Sequence, residues 1–175
     1  MGNLLLEKVE YKKEKTSFGE WRRYVYPTGM RFEEFRSHKV IGGLPLLHYT
    51  NGICPETGKR IVAKGIIAIG RLSAGVVAIG QASFGLIALG QLAIGLLLGL
   101  GQASSGIYAV GQLALGVAFG LGQFATGYTA IAQFAFGKYV LAQMGAGAYA
   151  VTPERADPEA LEHFSWLIEI FKSRN

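Results

Sequence analysis

Cysteine is almost missing from this sequence: Cys54 stands alone among 175 residues, which excludes an intramolecular disulfide and a Cys-x-x-Cys metal or redox pair. Proline is scarce, and charge all but vanishes from the middle of the chain. Between Gly65 and Val151 the only charged residues are Arg71 and Lys138, and there is no Asp, Glu or His. No general acid or base can sit on that stretch, and Ser73, Ser83, Ser104 and Ser105 have no base near them in sequence. His38, His48 and His163 are scattered and share no ligand spacing with Cys54 or a carboxylate, so each reads as structural. No catalytic residue, metal ligand or cofactor site is expected, and the chain reads as not an enzyme.

What the sequence has instead is glycine, 25 of 175 residues, about twice the ordinary usage. An apolar fraction of 50% is too high for a flexible Gly-rich linker, so the glycines must punctuate ordered structure. They do not make a phosphate loop. In "GICPETGKR" five residues separate Gly52 from Gly58 where four are needed, and Arg60 replaces the Ser or Thr. "GLGQ" at Gly99 and Gly120 belongs to a repeat and opens no helix, which removes the dinucleotide reading. The net charge of +5 comes mostly from the first 64 residues, twelve Lys/Arg against seven Glu, a mixture that reads as a solvated face; no nucleic acid partner is expected. The opening "MGNLLLEKVEYKKEK" has too short an apolar run for a signal peptide, so a cytoplasmic or other intracellular location is expected.

From Gly65 a five-residue beat sets in, with glycine at 65, 70, 75, 80, 85, 90 and 95. Pentads such as "VVAIG" alternate with pentads opened by Arg71 and then by Gln81, Gln91, Gln102, Gln112, Gln123, Gln133 and Gln143. "QAS" at 81 and 102, "QLA" at 91 and 112, and the six-residue units "LLLGLG" and "VAFGLG" recur 21 residues apart. Hydropathy alone would make this transmembrane helix. Glycine every five residues wanders around a helix, however, and each interior glycine costs about 1 kcal/mol relative to alanine. A short strand followed by a corner fits better. Alternation puts the second and fourth pentad positions on one face, and their size (Val77, Ile79, Phe84, Ile87, Phe134, Phe136) marks that face as the core. The small third positions and the first positions then point outward.

Four such sides per turn predict a mainly β fold, a quadrilateral β-solenoid of about four coils of 20–21 residues each. Glutamines one coil apart would stack into two hydrogen-bonded ladders, Gln81, Gln102, Gln123 and Gln143 on one side, Gln91, Gln112 and Gln133 on another. Residues 1–43 read as an N-terminal β-rich cap, with a hairpin turning at Pro27-Thr28-Gly29, residues 44–151 as the solenoid, and residues 152–175 as a capping α-helix. That helix opens on Asp157 and Pro158 and carries a stripe of Leu161, Phe164, Leu167, Ile168 and Phe171 for the last coil.

The beat resembles that of pentapeptide-repeat proteins, which form quadrilateral β-helices, although the central Leu/Phe and the Asp/Asn of that motif are missing here. The stretch "FRSHKVIGGLPLLHYTNGICPETGKRIVAKG" running into "GIIAIG" units more closely resembles a Gly-rich repeat module of uncharacterised bacterial proteins, over about residues 35–151. That resemblance implies no activity.

The expected role is a non-catalytic structural or assembly protein whose flat wall mediates self-association or docking onto a larger protein complex. Ile66, Val76, Leu86, Leu96, Ile107 and Val117 form the expected interaction surface, because monomers seldom leave a contiguous apolar patch above about 600 Å² bare. The other reading is a membrane-associated protein with its apolar solenoid sides in lipid.

Overall fold

The computed structural model describes residues 9–172, without the side chains at 168 and 170–172; the fold is mainly β with two short helices at its C-terminal end. It divides into two compact units, residues up to Ile94 and residues from Gly95 onward, so that the division falls inside the repeat.

In the first unit, β1 (Lys12–Lys15), β2 (Gly19–Val25) and β3 (Arg31–Ser37) form an antiparallel meander. The β2–β3 hairpin lies where the alternation of residues 22–33 places it. Its turn is closed by the Tyr26 and Met30 backbones (2.8 Å), and Gly29 takes φ +82°, a conformation that a side chain disfavours. β4 (Val40–Ile41) and β5 (Leu44–Pro45) make a small separate hairpin. β3 then pairs antiparallel with β6 (Leu47–Asn51), β6 parallel with β7 (Ala63–Gly70), and β7 parallel with β8 (Leu72–Val151). Trp21, Phe35, Tyr49 and Phe18 pack on one face of this sheet, and Tyr11, Tyr24 and Phe32 on the other.

The registers correct the expected coil length. Tyr49 stands beside Ile69, twenty residues on, because residues 52–62 loop out; Ile69 stands beside Ile79, only ten residues on. The same interval continues inside the 80-residue β8. Gly85 lies against Gly75 and Gly90 against Gly80; in the second unit Gly111 lies against Gly101, Gly122 against Gly111 and Gly137 against Gly127. The chain returns beside itself every ten or eleven residues. The 21-residue sequence period is therefore two returns plus the extra residue of "LLLGLG" or "VAFGLG".

The orientation of the pentads is also the reverse of the expected one at the second, third and fourth positions, while the first positions stay outward. The third positions are sealed: Ala68, Ala78, Ala88 and Ala93 in the first unit, Ala109, Ala114, Ala125, Ala130 and Ala135 in the second, with Ser73, Ser83 and Ser104 buried among them. The large second- and fourth-position residues point out; Phe134, expected in the core, is 48% exposed, and Phe84, Leu92, Ile94, Leu113 and Phe136 are exposed with it. A return every ten residues leaves an interior only as wide as alanine. Burial follows the available volume here and not hydrophobicity, since apolar residues can lie outside as well as inside.

The repeat glycines do not serve left-handed corners. Left-handed glycines occur at 29, 42, 43, 52 and 58, outside the repeat, while Gly127 sits at the extended limit. At Gly90 and Gly111 the cause is close approach: a Cβ there would overlap the carbonyl oxygens of Gly80 and Gly101.

The second unit ends in α1 (Pro158–His163) and α2 (Ser165–Lys172). Asp157 precedes α1 as expected, but its side chain makes no helix cap. The carboxylate instead accepts the Ala150 N–H (2.8 Å) and the Arg155 Nε–H (2.9 Å), while Arg155 Nη2 donates to the Ala148 carbonyl (3.0 Å). These two side chains occupy backbone groups at the end of β8. Ala160 and Phe164 are buried, Leu161 is exposed, Leu167 half-buried, and the Ile168 and Phe171 side chains lie outside the described ones.

Candidate functional site

The expected interaction surface is outward in both units. Val76 and Leu86 are exposed in the first unit and Ile66 half-buried; Leu96, Ile107 and Val117 are exposed in the second, Val117 at 73% the most. With a return of ten or eleven residues, the first positions within each unit follow one another along one side, and the Gln-opened pentads of that unit along the other.

All seven glutamines, Gln81, Gln91, Gln102, Gln112, Gln123, Gln133 and Gln143, are exposed. In each unit they fall in one row where two ladders were expected, because the repeat interval is halved. Arg71 begins the row and its Nε–H donates to Gln81 Oε1 (2.9 Å); among the described residues no side-chain hydrogen bond joins one glutamine to the next. Beside the row runs a shallow groove floored by small residues, Gly70, Gly80 and Gly90 in the first unit and Gly122, Ala132 and Ala142 in the second. In the first unit it lies between Ile69, Ile79 and Leu89 and the Arg71–Gln81 pair; in the second, between Leu121, Ile131 and Leu141 and the Gln133 and Gln143 side chains.

The structure brings together a buried charge cluster that sequence reasoning missed. Glu34 on β3 and His48 on β6 are each 3% exposed. Arg22 of β2 donates to Glu34 Oε2 through Nε (3.0 Å) and Nη2 (2.5 Å), and Arg36 Nε donates to Oε1 (2.8 Å). The Lys64 N–H donates to His48 Nδ1 (2.8 Å), which assigns the ring proton to Nε2, and this N–H donates to Glu34 Oε1 (3.1 Å). Burial alone would raise the Glu34 pKa; hydrogen bonds from His48 and Arg22 and the charges of Arg36 and Arg22 outweigh it and hold the carboxyl down at about 2. The cluster ties three strands of the first sheet to the start of the repeat. Glu34 is ionised with its lone pairs occupied, so at neutral pH it neither donates a proton nor takes one up. The cross-strand pairs Arg22–Glu34 and Arg36–His48 were readable only once the β2–β3–β6 registers were known.

Cys54 is buried in the turn closed by its own backbone to Lys59 and Gly58 (2.8 Å each), with the Tyr11 hydroxyl 3.8 Å from its sulfur. Burial pushes the thiol pKa up, but the amides of Thr57 and Glu56 and the Thr57 and Tyr11 hydroxyls more than offset this and leave it below its ordinary value. Burial of Tyr11 beside Cys54 raises the phenol's pKa. Among the described residues no three His, Cys, Asp or Glu side chains come together as a metal site, and no helix is long and apolar enough to cross a membrane. Comparison with protein-family models, with curated proteins and with solved structures gives no match.

Proposed function

We propose that the chain is a non-catalytic structural protein in which a two-sided β-solenoid, ten to eleven residues per turn, presents apolar walls for assembly. Parallel neighbours ten residues apart, buried third-position alanines and glycines held against the preceding turn support the winding. One observation carries the function: the large apolar residues project outward beside exposed glutamines. On the Gln-bearing side of the second unit, Leu113, Phe124 and Phe134 alternate with amides able to bond in both directions. Apolar area interspersed with hydrogen-bonding groups is the make-up of a protein interface. That side associates with further copies of the chain or with a larger complex. In each unit the opposite side, with Ile66, Val76 and Leu86 in the first and Leu96, Ile107 and Val117 in the second, is a further association surface.

Replacing Leu113 and Phe134 with lysine tests this. Neither supplies core contacts, so circular dichroism and melting stay near those of the parent. Covered apolar surface contributes roughly 25 cal/mol per Å², and two buried lysines add desolvation and like-charge costs, so the assembly falls apart. Light scattering before and after the change, in buffer or micelles, reads the size. A parent protein that is already monomeric there and captures no partner refutes the proposal.

A further inference from the structure

The Gln-free side differs from a protein interface in one respect: its outward rows contain almost no hydrogen-bonding side chain. In the first unit Val76 and Leu86 follow one another, and in the second Leu96, Ile107 and Val117 do, with Tyr128 and Lys138 only at the end of the row. Protein partners set about one hydrogen bond in every 100–200 Å² of contact, and before Tyr128 the exposed Tyr108 hydroxyl is the one such group on this side of the second unit.

Each unit, taken by itself, also grades from charged to apolar. In the first, the charged strands β1–β3 lead to Arg71, after which no charge follows through Ile94. In the second the order is reversed. No charged residue occurs from Gly95 to Gly137, and then Lys138 arrives among aromatic rings. Its Nζ lies 5.0 Å and 5.4 Å from the ring centres of Tyr128 and Tyr139 and donates to the Tyr128 hydroxyl (3.2 Å), and Tyr139 stacks on Tyr149 at 5.4 Å. Tyrosines grouped with a lysine at the margin of an apolar surface match the headgroup level of a bilayer, where amphipathic rings and cations collect.

Lipid penalises unpaired polar groups, and the interior meets that condition. The inward Ser83 and Ser104 hydroxyls donate to the Leu92 and Leu113 carbonyls (3.4 Å each), and among the described residues Ser73 Oγ is the one buried side-chain polar atom without a partner.

We infer that the Gln-free side of the second unit is covered by lipid: acyl chains take up Leu96, Ile107 and Val117, and Tyr128, Lys138, Tyr139 and Tyr149 lie among anionic headgroups. The inference rests on the reading of the apolar walls as association surfaces and names what covers one of them. The glutamine row lies shallower than the Gln-free rows.

The test is flotation of the full-length chain with phosphatidylcholine vesicles, with and without phosphatidylserine, combined with tryptophan reporters. Val117→Trp should lose most of its added fluorescence to acyl-chain-brominated lipid, and Phe134→Trp on the Gln side much less. Lys138→Gln should weaken binding to the anionic vesicles about fivefold and leave binding to the neutral ones unchanged. Absence of flotation, or an unquenched Val117→Trp reporter, overturns the inference; equal quenching of both reporters overturns the assigned side, and an unaltered anionic preference overturns the headgroup placement. The Leu113→Lys/Phe134→Lys variant separates the two proposals. If it floats like the parent while no longer assembling, both hold; if the parent assembles through Leu113 and Phe134 but never floats, the lipid inference alone falls.

Discussion

Changing Ala109 to valine would test the one-alanine-wide interior directly. Ala109 and Ala114 belong to the sealed row of the second unit, five residues apart. The chain itself contains the solution for a larger residue: Val140 is fully buried, and the third position five residues on is Gly145, where a Cβ would stand 3.1 Å from Val140 Cγ1. A Cβ at Gly145 would overlap the Ala135 carbonyl oxygen as well, so this glycine both serves the close backbone approach and leaves room for Val140. Two extra methyl groups at Ala109, with Ala114 retained, should cost about 1–3 kcal/mol through overpacking. Ala114→Gly alone should cost about 0.5–1 kcal/mol from backbone entropy, with the loss of one buried methyl in addition. If the changes were independent, the pair would cost their sum. With Ala109→Val and Ala114→Gly combined, the arrangement of Val140 and Gly145 is reproduced, and a favourable coupling of about 1 kcal/mol or more is expected. Denaturant midpoints for the four proteins of the cycle, followed by circular dichroism, give the number. Simple additivity, or a cost for Phe134→Ala larger than that for Ala109→Val, would refute the inward assignment, because a truly buried phenylalanine loses about 3–5 kcal/mol on truncation.

Acid should expose the Glu34 cluster. The carboxyl moves from 4.5 to about 2 on folding, so its stabilisation is complete above the unfolded value and is lost as the pH falls towards the folded one. That is about 3 kcal/mol, shed between roughly pH 5 and pH 2, and absent from the profile of Glu34→Gln, which should also be about 1.5–3 kcal/mol less stable at neutral pH through loss of the charge-assisted hydrogen bonds from Arg22 and Arg36; parallel acid profiles for the two proteins would count against the geometry. At the other end, Arg155→Ala should free the Ala148 carbonyl and weaken the Asp157 anchor on the Ala150 N–H. Hydrogen exchange at Ala150 should then quicken about tenfold, on the order of one lost charge-assisted hydrogen bond, with amides before Gly137 unaffected.

The parts of the fold carried by local chemistry were legible before any coordinates. The turn at Gly29, the strand pair around it and Pro158 at the head of a helix each depend on a few adjacent residues. The glycine beat announced short repeated strands. Its meaning did not follow, because parity allows either the second and fourth positions or the third to face inward, and hydrophobicity selected the larger set. Interior volume decides that choice, and it depends on whether neighbouring turns lie ten or twenty residues apart, which the 21-residue repetition disguised. Glu34 and His48 stayed hidden for a related reason: they are 14 residues apart, and only the β3–β6 register makes them neighbours.

The ten-residue return also governs how the chain acquires its shape. Contacts between residues so close in sequence need only small loops to close, and closure entropy rises slowly with loop length. On the proposed winding, the open backbone edge of one turn would be a template for the next ten residues, and growth would proceed as zippering from a nucleus without a search for distant partners. A ribosome releases roughly 5–20 residues each second, so a new ten-residue segment becomes available about every 0.5–2 s. The repeat can therefore fold while it is being made. Early zippering would limit the time for which its apolar rows and unpaired edge remain open to neighbouring chains.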